Sequence, residues 1–372
     1  MDNKKDNKVS TFKVMNFNEA YVAPVNKYNI GKSIVEWGKK NNYPEYIFDL
    51  YNYKGSPTHK SIINKKVKLI SGNGFADVID ERLKDIIKRS SLEKETKKAS
   101  LDYELFNAFA FEVIYTNEGE LDTIKHIPYH KLRIGIQNDS YSFDYFWFSN
   151  DWSQTRKSMF KPTPIRAYNP NLKQGKQIYV YTEYNPQSVG SYPIVGYSTS
   201  MNWIELDYEI SVFHLNQAKQ GYAPSFILNF STGIPTEEEM ETFSKSFHDT
   251  YSGTENAGKI ILNWSDGADG APILTPIQLN DSDDRFVDLM ERTDEQIARG
   301  AEIPPQLVIL TPGKLGSTEE RSELLVEFQT TYITPRQNNI EDVLNEITFK
   351  SGIKEEIQFQ EYIQEQKIIE DK

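Results

Sequence analysis

Residues 311–318, TPGKLGST, set a lone cation in a glycine-containing turn, the kind of place where backbone amides and a lysine can cradle a phosphate. A nucleotide loop of that type needs four residues between its first glycine and a closing Gly-Lys-Ser/Thr, and it follows a strand. Here Gly313-Lys314 runs into Leu315, so the spacing speaks against nucleotide chemistry. The five histidines, His59, His126, His130, His214 and His248, are scattered. Only His126 and His130 are near neighbours, with a proline between them in HIPYH and no carboxylate nearby in sequence, so ordinary strand or surface histidines fit better than a metal pair. Asp283 and Asp284 concentrate charge, but nothing fixes a coordination geometry. No nucleophile elbow or triad signature is visible. The expectation is a chain without a catalytic centre, a cofactor or a metal.

The elements around these residues can be read from periodicity and capping. In SPTHKSIINKKVKLISGNGF, Ser56 is an N-cap, Pro57 stands at the first helical position, and Gly72 is placed to end the helix. Ile62, Ile63, Val67 and Ile70 share its apolar face, and Lys60, Lys65, Lys66 and Lys68 cover the rest. Two more helices are expected over residues 80–89 and 93–107. Residues 109–184 then change to a strand period: a hairpin turning at Asn117-Glu118-Gly119, a second turning at Asn138-Asp139, and the strand KQIYVYTEYNP. This predicts an antiparallel, aromatic-rich β region. A long helix follows over residues 203–220, ended by Gly221 and Pro224. Next comes a compact β-α-β unit, with strands SFILNF and KIILNW around a helix opened by the capping box Thr236-x-x-Glu239.

The segment DSDDRFVDLMERTDEQIARG carries Phe286, Met290, Thr293 and Ile297 as one narrow seam, which predicts packing between neighbouring helices with one side wet. After it, Pro304 and Pro305 open the apolar run Leu307-Val308-Ile309-Leu310, a connection longer than helix pairs usually need. Ser317-x-x-Glu320 is a second capping box, and the helix it opens is expected to bend at Pro335. Beyond the bend Ile340, Val343, Leu344 and Ile347 fall at helical spacing, and the tail after Ser351 reads as short, charged and helical.

Composition limits the function classes. With 372 residues, 38% hydrophobic and 26% charged, the sequence is that of a folded, soluble protein. No apolar run approaches membrane-spanning length, and MDNKKDNKVS lacks the apolar core of a secretion signal. Zero cysteines exclude disulfides and thiolate metal sites and make a cytosolic setting the default. Net charge is −12, and residues 265–372 hold 23 Asp/Glu against 10 Lys/Arg, a net of −13. A protein built to grip nucleic acid would carry a basic stripe instead.

The order of these elements resembles the portal proteins of tailed bacteriophages, and three segments carry the likeness. They are SPTHKSIINKKVKLISGNGF, YAPSFILNF…TYSGTENAGKIILNW, and IARGAEIPPQLVILTPGKLGSTEERSELLVEFQTTYITPRQNNIEDVLNEI. The resemblance implies an α+β fold of portal type, with an elongated subunit. Residues 1–200 would be the wing, 201–221 the first stem helix, and 222–265 the clip. Residues 266–301 would hold the second stem helix with its lead-in, 302–317 the tunnel loop, 318–348 the long kinked wing helix, and 349–372 a reduced crown. Many portals have a longer helical crown, so this end departs from the family pattern.

The resemblance also implies a homo-oligomeric ring, usually of twelve subunits, at one vertex of the virion capsid. Double-stranded DNA would pass through it during packaging and ejection. Partners would be the large terminase, a neck or adaptor protein and the major capsid protein, with assembly in the host bacterial cytoplasm and no membrane. In such a ring Asp284, Asp288, Glu291 and Glu295 of the acidic stem would line the channel. Val308, Ile309, Leu310 and Lys314 would face DNA, with Lys314 the candidate for a phosphate contact. Burying each of the three apolar side chains is worth roughly 1.5–3 kcal/mol, a reason for neighbouring loops to pack together around the bore. Phe226, Leu228, Ile260 and Leu262 of the clip would serve subunit and partner contacts. Two alternatives remain open on the sequence: another structural virion protein, such as a neck or capsid subunit, and a nucleotide-driven enzyme.

Overall fold

The computed structural model describes residues 27–28, 34–38, 42–135, 143–184, 192–219, 226–230, 236, 238–239, 242, 260–264, 273–276, 283–308 and 318–360. Strands β1 (Lys27–Tyr28) and β2 (Val35–Glu36) pair antiparallel ahead of four helices: α1 (Tyr43–Asn52), α2 (Pro57–Ser71), α3 (Glu81–Ser90) and α4 (Leu92–Phe106). Ser56 caps α2 by accepting from the His59 amide at 3.1 Å, and Gly72 ends it at φ 48°, where a side chain would be strained. Helix α1 was not anticipated; it buries Tyr43, Ile47 and Leu50 against the core.

A six-stranded sheet follows, with strands β3 (Ala108–Tyr115), β4 (Leu121–His126), β5 (Leu132–Ile134), β6 (Tyr145–Phe148), β7 (Thr163–Ala167) and β8 (Lys176–Thr182) in the order β4-β3-β8-β7-β6-β5. Both expected hairpins are present as β3/β4 and β5/β6, and Gly119 adopts φ 82° in the first turn. The residues expected to turn the second hairpin lie outside the described ones. The sheet is not purely antiparallel as the sequence suggested: β7 pairs parallel to β8, with Arg166 opposite Gln177. Strand β7 was missed because Pro164 interrupts its period and its residues are mostly exposed.

Helices α5 (Met201–Lys219) and α6 (Asp283–Gly300) pack on each other, and α6 also packs on α2. Between them in sequence lies a three-stranded sheet of β9 (Phe226–Phe230), β10 (Ile260–Trp264) and β11 (Ile273–Pro276). Strands β9 and β10 are parallel and β11 is antiparallel to β9, so the unit has one strand more than the β-α-β read from sequence. The expected capping box is formed, with the Thr236 amide donating to Glu239 Oε2 at 2.9 Å and the Glu239 amide to Thr236 Oγ1 at 3.4 Å.

The C-terminal rod comprises α7 (Thr318–Phe328), a π-turn at Gln329–Ile333, and α8 (Thr334–Lys350). Pro335, at the site of the expected bend, has no amide to give the carbonyl one turn back, and its ring crowds that carbonyl. The wider turn just before it accommodates both problems. Residues 351–360 are not helical, contrary to expectation. They run back along α8, burying Ile353 and Ile357, and the Asn345 amide both donates to the Ile357 carbonyl (3.1 Å) and accepts from its amide (2.7 Å). Gln360 donates to the Gly74 carbonyl and Ala76 to that of Gln358, each at 2.8 Å, which ties this strap to the end of α2.

Where α2, α4 and the π-turn meet, charge is buried. Lys66 was read as part of a polar face, yet it is 3% exposed and lies 3.4 Å from Glu104. Its ammonium sits 3.9 Å from the ring centroid of Tyr332, whose hydroxyl donates to Glu104 at 3.0 Å. Desolvation pulls the Lys66 pKa below the ordinary lysine value, and Glu104 works against that pull. The correction has a simple cause: α2 is covered on two sides, by α4 and by the rod, so its lysine face is only partly open. Arg336 continues the network over the Tyr103 ring at 4.2 Å and donates to Asn107 Oδ1 at 3.2 Å.

His59 is fully buried against the Tyr197 ring, with no hydrogen-bond partner for either ring nitrogen among the described residues. Burial, aided by nearby Lys66, lowers its pKa to about 3. The unfolded chain, with an ordinary histidine value, therefore binds the extra proton first, and stability is greatest above roughly pH 6.5 and falls as pH drops. Wild-type unfolding measured between pH 6 and 4 is expected to lose about 1.4 kcal/mol per pH unit more than His59→Leu; parallel curves would refute this. Removing one partner of the buried pair by Lys66→Met should cost about 3 kcal/mol in urea unfolding, and Lys66→Met with Glu104→Leu should recover most of it.

Candidate functional site

Helix α6 and the chain that leaves it hold most of the residues singled out by sequence. One face of α6 is anchored: Thr293, Ile297 and Ala298 are buried, and Thr58 of α2 donates to Asp294 Oδ1 at 2.6 Å. Burial raises the Asp294 pKa, with the Thr58 hydrogen bond opposing and Asp207 adding to the rise. This carboxylate is turned into the joint with α2. The anticipated seam holds only in its C-terminal half, because Met290 is 44% exposed. The side chain of Phe286 lies outside the described residues.

The opposite face is wet. Asp288, Glu291 and Glu295 are exposed, relieved locally by Arg299, which reaches Glu295 at 3.5 Å. Asp284 lies on the same helix, its side chain outside the described residues. The residues expected to line a channel thus share one element, and those whose side chains are described lie on its open side. Val287 is also exposed, as are Phe213 and Leu215 on α5, so both helices present apolar groups among charges.

The end of α6 is fixed by close packing. A Cβ on Gly300 would come within 2.5 Å of Ser200 Cβ, so only glycine lets the helix end meet α5's lead-in. The chain then turns through Glu302 at φ 55°, with the Ile303 amide donating to the Ala298 carbonyl at 3.1 Å. Pro305–Leu307 form a short 3-10 turn and Leu307 enters the core at 3% exposure. Lys65 Nζ donates to the Leu307 carbonyl, and burial, then Arg321, lowers the Lys65 pKa. Val308 is half-buried against the same core. The apolar run is therefore anchored at its first residues. Ile309, Leu310 and Lys314 lie outside the described residues.

In the three-stranded sheet, Phe226 stands opposite Ile260 and Leu228 opposite Leu262 in the parallel β9/β10 register. The four clip positions read from sequence thus form two adjacent cross-strand pairs; their side chains are outside the described residues. Among the histidines, spatial proximity supplies what sequence spacing hid. Asp102 of α4 lies 2.7 Å from His126 Nε2 and accepts from the Tyr129 amide at 2.7 Å. His130 packs edge-on against Phe48, with ring centroids 4.6 Å apart, and burial lowers its pKa to about 4. These contacts bind β4 to α4 and the β4–β5 connection to α1, a structural use of both rings. The described residues contain no group of three His, Asp or Glu arranged for a metal.

Known proteins give the context for this arrangement. The phage portal protein family model matches residues 182–365, from the end of β8 through the strap. No curated protein matches the sequence. A chain in the neck of an empty gene transfer agent particle, solved with C6 symmetry, superposes with a TM-score of 0.56 at 12% identity, covering 84% of each chain. A chain in the neck of the native particle, solved with C12 symmetry, gives 0.56 at 12% identity, covering 87% of this chain and 84% of that one. An HK97-family phage portal protein from Corynebacterium diphtheriae gives 0.51 at 11% identity, covering 82% and 93%. Identity this low shows likeness of fold. The family-model match over residues 182–365 supports assignment of the chain to the phage portal protein family, and the solved structures show that it shares their α+β fold.

Proposed function

We propose that copies of this chain close head to tail into a ring, usually dodecameric in this family, at one capsid vertex, and that the ring is the conduit for double-stranded DNA. The observation that carries this reading is the two-faced α6 helix, anchored on the wing through Thr293, Ile297 and Asp294 and acidic on its open side. A heterologous contact that closes by rotation gives every subunit an inward face. Asp288, Glu291 and Glu295, with Asp284, repeated around a bore would repel phosphates at close range, and salt screens that repulsion beyond about 8 Å. A moving polyanion needs such weak contact, since tight binding would be a brake. The exposed Phe213, Leu215, Val287 and Met290 support the ring as apolar groups for neighbouring stems to cover.

In this reading the loop beyond the anchored Leu307 and Val308 projects toward DNA with Ile309, Leu310 and Lys314. The β9–β11 unit, through Phe226, Leu228, Ile260 and Leu262, closes against its neighbours and docks the large terminase, then the neck or adaptor protein. The outer wing meets the major capsid protein, and the ring assembles in the host bacterial cytoplasm before residing in the virion. The chain acts without catalysing a reaction.

Negative-stain images of the purified protein should show annuli with a central hole; a species that stays monomeric at every concentration would remove the ring. Lys314→Glu should leave rings intact and lower the DNA packaged per particle. Normal packaging by that variant would clear Lys314 of a phosphate contact.

A further inference from the structure

Residues 152–182 contain no Asp or Glu but carry Arg156, Lys157, Lys161, Arg166, Lys173 and Lys176, in a chain of net charge −12. The first three of these cations sit on a built knob. Asp151 accepts from the Ser153 amide at 2.9 Å and from Gln154 Nε2 at 2.6 Å. Ser149 Oγ donates to the Phe160 carbonyl at 2.7 Å, closing the lobe at its base. Trp152 donates to the Lys131 carbonyl at 2.9 Å beneath the Arg133 guanidinium, which anchors the lobe beside the edge strand β5. Met159 projects from it at 73% exposure, flanked by exposed Arg156, Lys157 and Lys161. None of these three cations makes an ion pair among the described residues; Lys157 only donates to the Gln154 side chain. A fixed backbone holding an apolar tip among unpaired cations is a shape suited to a complementary surface, since isolated apolar groups and unpaired charge otherwise gain nothing from being held in place.

The complement exists on the same chain. Between α8 and the C-terminal strap lies an open cavity of about 540 Å³ lined by Glu341, Asp342, Glu346 and Glu356 around Phe349, with Lys350 as the one cation among its described lining residues. Phe349 is 42% exposed. Among the described residues no ion pair joins knob and cleft within one chain. We infer that the knob of one copy seats in this cleft of the next, Met159 against Phe349 and Arg156, Lys157 and Lys161 against the carboxylates. Nucleic acid would satisfy the cations but offers no apolar counterpart to Met159, so a second copy of this chain fits both halves of the surface. The contact joins two different patches, as a closing ring requires. It rests on the ring reading and specifies its outer seam.

The natural absence of cysteine allows a clean test on the full chain. Met159→Cys and Phe349→Cys proteins, each oxidised alone, should give no linked species by this route, and mixed in equal amounts they should give a disulfide-linked pair. Arg156→Glu, Lys157→Glu and Lys161→Glu together should weaken self-association about tenfold, as should Asp342→Lys with Glu356→Lys. Combining the two sets should restore association to near the wild-type level, with circular dichroism confirming that each variant folds. No link in the mixture, or additive losses in the combined variant, would overturn the seam. Intact wild-type rings alongside that failure would leave the conduit reading standing, whereas a monomeric wild type would remove both.

Discussion

The buried meeting of Lys66, Glu104 and Tyr332 constrains everything around it. A lysine and a glutamate taken out of water cost several kcal/mol each unless each has partners, and their partners come from α2, α4 and the π-turn. No two of these elements can separate without stranding a charge. Arg336 and Asn339 extend the requirement to Tyr103 and the end of α4. The rod, distant in sequence, is thereby held in one register on the N-terminal helices. The strap reinforces this from the other end, through Asn345 and the paired backbone at residues 74–76. Helix α6 then rests on a fixed base.

That base explains how the acidic helix can be asymmetric. Its last turns are held by Thr293 and Ile297, by the Thr58 hydrogen bond, and by Gly300 pressed against Ser200. With that end clamped, the outward face needs no apolar residues for stability and is free to carry carboxylates. The charge of Asp288, Glu291 and Glu295 is therefore a surface property that the fold permits and does not depend on.

Sequence patterns revealed the local elements well and the long-range ones poorly. Ser56, Gly72 and the Thr236/Glu239 box announced their helix ends because capping is a bond between near neighbours. Ile340, Val343, Leu344 and Ile347 gave the buried face of α8 by spacing alone. The parallel β7/β8 pair, the β11 addition and the strap stayed hidden, since which strand pairs with which is decided by tertiary packing. Lys66 looked like a surface lysine because nothing on its own helix shows that Glu104 and Tyr332 lie over it. His126 lacked a carboxylate in its neighbourhood of sequence and has Asp102 beside it in space. For the proposed site, the acidic face was legible as charge density, and its anchorage through Asp294 was not.

The π-turn at Gln329–Ile333 has one further consequence. Each helical residue advances the chain by about 100°, so a turn holding one extra residue offsets the phase of all that follows by roughly that angle. The face α7 offers its surroundings is accordingly set independently of the face by which α8 packs on α2. The rod therefore presents two differently phased faces to the core, Leu324, Leu325 and Phe328 ahead of the turn and Ile340, Val343, Leu344 and Ile347 beyond it.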